Sequence, residues 1–86
     1  MIELLINIPE YNPNVGFKHL WEDGFEITTK IENNTLVLSA NRAGLISLAK
    51  QLLTLAQTNV PEGCHFHLDE YNSLEKGSVE IIIGKI

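Results

Sequence analysis

A single cysteine, Cys64, stands in the 86 residues. No disulfide can form within the chain, and no cysteine-based zinc cage can be built. Basic residues are also scarce: six Lys and Arg face eleven Asp and Glu, giving a net charge of −5. That balance argues against a nucleic-acid or anionic-membrane surface and is compatible with a basic protein partner. No apolar run approaches the ~20 residues that span a bilayer. Met1-Ile2-Glu3-Leu4-Leu5-Ile6 lacks the basic start and long apolar stretch of a signal peptide, so the expected address is the cytoplasm. There is no P-loop, Rossmann fingerprint, Cys-x-x-Cys pair or Ser-His-Asp signature, no internal repeat and no linker. No cofactor and no catalytic residue is expected.

What is present suffices for one small domain over residues 1–86, with a single modest core. A hydrophobic content of 44% with 20% charged residues is ordinary for a globular chain. Ile2, Leu4, Ile6 and Ile8 alternate against Glu3 and Asn7, the pattern of a strand with one buried face. Pro9 ends it. Residues 9–24 then read as a long loop with a short helical turn around Lys18–Glu22. Loops of that length in small domains are often functional.

Phe25–Glu32 and Thr35–Ala40 flank Asn33-Asn34, a pair that tolerates the positive φ of a two-residue hairpin turn. Pairing across it sets Ile31 opposite Leu36, Thr29 opposite Leu38 and Ile27 opposite Ala40. A one-residue slip destroys that match. Asn41 is a good N-cap for a helix over residues 42–57. Leu45, Ile46, Leu48, Ala49, Leu52, Leu53, Leu55 and Ala56 fill one half of its wheel; Ser47, Lys50, Gln51, Thr54 and Gln57 fill the other, which is expected in water. A strand over Gly63–Asp69, a polar loop Glu70–Gly77 and a last strand over Ser78–Lys85 complete the order β-β-β-α-β-β. The expected fold is α+β: a five-stranded, antiparallel-dominated sheet with one main helix on one face and the last strand central.

In the strand Gly63–Asp69, Cys64, Phe66 and Leu68 share the apolar face while His65, His67 and Asp69 share the other, about 6.5 Å apart per two-residue step. Two imidazoles and a carboxylate in a row suggest three chemistries. As zinc ligands, His65, His67 and Asp69 lack enclosure and second-shell support, and the only other histidine is His19, in the early loop. As acid–base groups they lack a desolvated cleft. As a recognition row they need neither. Trp21, Phe17 and Tyr11, all in the early loop, read as caps on the core, with Trp21 partly buried; Trp and Tyr also serve as binding anchors.

The stretch Asn41-Arg42-Ala43-Gly44-Leu45-Ile46-Ser47-Leu48-Ala49, the strand Gly63-Cys64-His65-Phe66-His67-Leu68-Asp69, then Leu74-Glu75-Lys76-Gly77-Ser78 and Ile81-Ile82-Ile83 together resemble the immunity protein 32 family. The Gly-Leu-x-x-Leu-Ala helix start and the His-x-His-Leu-Asp … Gly-Ser strand pair are the specific parts; residues 1–35 match in general character. The resemblance implies a small bacterial protein, encoded beside a polymorphic toxin, that binds and neutralises that toxin without catalysis. The expected partner-binding residues, chosen from the geometry above, are His65, His67, Asp69 and Glu70, flanked by Trp21, Glu22 and Asp23. The rival readings are a metal- or ligand-binding domain using the His65/His67/Asp69 row, and a homodimeric module pairing through a sheet face or edge strand.

Overall fold

Asn33 and Asn34 both adopt positive φ (51° and 63°), the conformation that a hairpin turn matching strand twist requires. In the computed structural model, which describes residues 1–86, they join β1 (Ile27–Glu32) to β2 (Thr35–Ala40). The register is the one expected, with Ile27 opposite Ala40, Thr29 opposite Leu38 and Ile31 opposite Leu36. Asn41 then ends the hairpin and starts α1 (Arg42–Leu55). Its Oδ1 accepts from the Gly44 and Glu26 amides at 2.8 and 3.0 Å, and its Nδ2 donates to the Gly24 carbonyl at 2.9 Å. One side chain thus caps the helix and ties it to the entry of β1.

The remaining strands are β3 (His65–Leu68) and β4 (Ile81–Gly84), paired antiparallel with Phe66 opposite Ile83 and Leu68 opposite Ile81. Gly63–Lys85 and Lys85–Cys64 backbone bonds at 2.8 and 2.9 Å extend this ladder. The architecture is therefore α+β with one helix and two two-stranded antiparallel sheets, not the expected five-stranded sheet. Residues 75–79 link the two ribbons. Glu75 and Val79 amides donate to the carbonyls of Ile27 and Thr29 at 2.9 and 3.3 Å, and the Thr29 hydroxyl donates back to the Val79 carbonyl. This segment runs beside β1 in the same direction, and the chain then continues into β4. The last strand lies beside β3 as expected, but it is not central: its sheet has two strands only, and residues 75–79 reach β1 outside any ladder.

The fifth strand, Ile2–Ile8, does not form. Gln57, just beyond α1, holds the Pro9 carbonyl and the Tyr11 amide, both at 3.0 Å. Residues 4–7 consequently run along a shallow groove with Arg42, Ile46 and Lys50 of α1. Alternation gives the segment the capacity to be a strand, but its anchor sets it on the helix and not against a sheet edge. The helical turn expected around Lys18–Glu22 is absent too. Those residues stay open because α1 supplies their hydrogen bonds.

That supply turns α1 about its axis from the expected orientation: Leu48 and Leu55 enter the core as expected, but Ser47, Gln51 and Thr54 are buried beside them. Its buried positions are Gly44, Ser47, Leu48, Gln51, Thr54 and Leu55, one continuous face. Leu45, Leu52 and Leu53 are 55%, 47% and 46% exposed. The Ser47 hydroxyl accepts from the Glu22 amide at 2.8 Å, and Gln51 Nε2 donates to the Leu20 carbonyl at 2.8 Å. A loop without secondary structure brings unpaired peptide groups inward, and only polar side chains can satisfy them. No buried side-chain polar atom is left without a partner. The core gathers Ile27, Leu48, Leu55, Val60, Phe66, Leu68 and Leu74, with Tyr11, Phe17, Trp21, Phe25, Cys64, Ile81 and Ile83 packed around it. Trp21 and Cys64 are each half-buried, as the sequence suggests.

Candidate functional site

β3 alternates as its sequence requires: Phe66 and Leu68 enter the core while His65 and His67 stay exposed. The two imidazoles stand 5.1 Å apart between ring centres, tilted by 62°. His65 Nδ1 lies 3.0 Å from the Gly63 carbonyl, which orients its ring. His67 Nδ1 lies 3.6 Å from Glu80 Oε2, and both side chains are about half exposed. When His67 is protonated this is a surface ion pair, of the kind that contributes about 0–1 kcal/mol.

Asp69 leaves the row. It sits past the end of β3, where Oδ1 accepts from the Tyr71 and Asn72 amides at 2.9 and 3.1 Å. Its carbonyl accepts from Asn72, Ser73 and Leu74. Asn72 closes the knot, accepting from the Asp69 amide at 3.1 Å and donating to the His67 carbonyl at 2.9 Å. Glu70 Oε2 accepts from the Gly77 amide at 2.8 Å, pinning the far end of the same loop. No group of three or more His, Cys, Asp or Glu side chains is gathered in a metal-binding arrangement. The carboxylate that would complete a His65/His67/Asp69 set is bonded to its own loop.

Of the early-loop candidates, Trp21 reaches the row. Together with His19, His67 and Asn72 it lines a cavity of about 110 Å³. Trp21 stacks on Phe25 with centroids 4.8 Å apart, and His19 lies nearly parallel to Trp21 at 6.5 Å while meeting Phe66 edge-on at 6.1 Å. Glu22 is held on α1 instead, with Oε1 3.4 Å from Lys50 Nζ. Asp23 is exposed in the turn before Gly24. His19 and Asn72 are the members that sequence reasoning misses; 48 residues or more separate each of them from the other side of the cavity in the chain, and no local pattern marks them. The cavity falls well below the ~300–1,000 Å³ of small-molecule pockets. The largest concavity, about 450 Å³, is framed by Glu10–Pro13, Val15, Gly16 and Lys18 and shares no residue with it.

The row thus divides into two exposed histidines and a loop-tying carboxylate, which gives a direct expectation. Asp69→Ala removes the acceptor of two amides and lowers stability by roughly 1–2 kcal/mol, within the range for losing such local caps. His65→Ala, at an exposed position, changes stability by no more than about 0.5 kcal/mol. Urea unfolding of the two variants side by side checks this, and equal effects contradict the assigned roles.

No curated protein and no solved structure matches the chain. A protein-family model described as Immunity protein 32 matches residues 35–86, more than half of the sequence. The match runs from β2 through α1 to β3 and β4, and takes in both histidines, the Asp69 knot and residues 75–79 that link the two ribbons. By that match, the chain belongs to the immunity protein 32 family.

Proposed function

We propose that this protein binds and neutralises a cognate protein toxin by forming a stoichiometric complex, without catalysing a reaction. The observation that carries the reading is the family match over residues 35–86. The net charge of −5 supports a basic toxin surface as its target, since complementary charge mainly speeds association. In this reading the protein works as a single domain in the cytoplasm of the cell that makes the toxin. The contact surface centres on His65, His67 and Trp21, with exposed Asp23 adding negative charge; Glu22, paired with Lys50 on α1, lies outside it. Asp69 and Glu70 contribute by fixing the loop that borders His67.

The test is co-expression with a toxin domain encoded beside this gene, scoring growth and co-purification. Rescue with a co-purifying complex is the expected result; cell death despite folded protein sinks the reading. His67→Ala combined with Trp21→Ala is expected to weaken the complex by about 2 kcal/mol or more if these are anchors. Because Trp21 is packed on Phe25, binding is compared at a temperature where circular dichroism shows the variant folded.

A further inference from the structure

Ile2–Ile8 has the pattern of a strand and no partner. No intramolecular hydrogen bond reaches the backbone of residues 1–8, and Ile2, Leu4 and Leu5 are exposed, Leu5 at 93%. A run of free amides and carbonyls with β-patterned side chains is a template for pairing with another strand. The sequence itself indicates which strand. Laid antiparallel on a second copy about a two-fold axis at Leu5, the segment sets Ile2 against Ile8, Leu4 against Ile6 and Glu3 against Asn7. Every apolar residue meets an apolar one, Leu5 meets Leu5, and the one charged residue meets an amide. A one-residue slip sets Ile2 against Asn7 and Glu3 against Ile6, and a two-residue slip shortens the ribbon and sets Leu5 against Glu3 or Asn7, so the register centred on Leu5 is the best matched. Pro9, which lacks an amide hydrogen, stands at the place where the ribbon must end.

The surface area agrees. The chain exposes 6249 Å², whereas a folded monomer of this mass is expected to expose ~5,100 Å². Met1, Ile2, Leu4 and Leu5 contribute to that excess, which belongs to the chain as a whole. The Cα radius of gyration, 13.7 Å, likewise exceeds the ~12 Å expected for 86 residues. Two acidic molecules repel each other, and this ribbon brings them together through a segment holding one charge per copy.

We infer that Ile2–Ile8 pairs antiparallel with the same segment of a second copy, giving a two-fold dimer centred on Leu5. The inference is independent of the toxin reading. Light scattering behind size exclusion tests it, across protein concentrations from micromolar to submillimolar. The wild type is expected to reach twice the 9.6 kDa chain mass. Leu5→Lys and Leu5→Glu each place like charges on the axis and are expected to stay monomeric, with melting curves that match the wild type at concentrations where it too is monomeric, Leu5 being exposed in the single chain. Mixed in equal amounts, the two variants pair opposite charges and the dimer returns. A wild type that is monomeric throughout overturns the inference, as does a dimer that Leu5→Lys leaves intact. A monomeric wild type whose toxin complex is lost in Leu5→Lys also overturns it and assigns the segment to the toxin.

Discussion

Gly44→Ala is expected to destabilise this protein by roughly 1–3 kcal/mol, the cost of forcing extra atoms into a packed site. In an exposed helix interior the same change gains about 1 kcal/mol, because alanine is the better helix former. Here the sign reverses for a local reason. A Cβ on Gly44 lands 2.5 Å from the Glu26 carbonyl oxygen and 3.0 Å from both Ala40 Cβ and Ile27 Cγ1. The nearest of these atoms is backbone at the entry of β1, which cannot rotate aside. The helix must therefore shift away from the hairpin, loosening Asn41's bonds to Gly44 and Glu26. For a domain of this size the melting temperature falls by about 4–8 °C per kcal/mol lost. Thermal unfolding followed by circular dichroism checks this, with Ala43→Gly as a control for helix propensity. A stabilised Gly44→Ala variant means that α1 does not approach β1 so closely.

Gln51→Leu is expected to cost a similar amount through the opposite kind of chemistry. Gln51 is 2% exposed, and its replacement gains apolar surface at a buried position. The Leu20 carbonyl then loses its donor and the His19 ring loses its contact at 3.3 Å. Losing this part-buried hydrogen bond costs about 1 kcal/mol, unless the loop detaches and takes the carbonyl to water. Either outcome disturbs Trp21, one residue away from that carbonyl and the only tryptophan in the chain. A red-shifted emission, with faster amide exchange at residues 19–22, is the expected signature. Unchanged fluorescence and stability mean that the loop is not held by the polar face of α1.

Both variants probe what composition alone hides. The hairpin is legible because its information is local: two asparagines that accept positive φ, and side chains that match in one register only. The boundaries of α1 are legible for the same reason, from Asn41 and the run that follows. Its orientation is not. Reading the helix by hydrophobicity sends Leu45, Leu52 and Leu53 inward, whereas Ser47, Gln51 and Gln57 are needed there to satisfy a loop that brings no hydrogen-bonding ladder of its own. Ile2–Ile8 illustrates a related gap, since alternation declares a capacity to pair but not whether an edge of the same chain will take it. At the candidate site, the outward placement of His65 and His67 follows from period-two alternation. The turn that claims Asp69 is written in Asn72 and the amides around it, and the approach of His19 and Trp21 depends on Gln51, 30 or more residues further along.

The double attachment of residues 75–84 has a consequence for synthesis. Glu75 and Val79 hold β1, while Ile81–Gly84 hold β3, so one short stretch fastens the first ribbon to the second and completes the second. The Glu75 amide meets a carbonyl made 48 residues earlier, at Ile27. A nascent chain that has left the ribosome only through α1 and β3 has a hairpin, a capped helix and an unpaired strand, with Phe66 and Leu68 uncovered on one side. Such contacts between distant residues are the slow ones, because the intervening chain must be ordered before they form. Translation therefore delivers the first hairpin and the helix early and the second ribbon last, and a ribosome stalled before codon 75 holds a chain whose β3 has no partner.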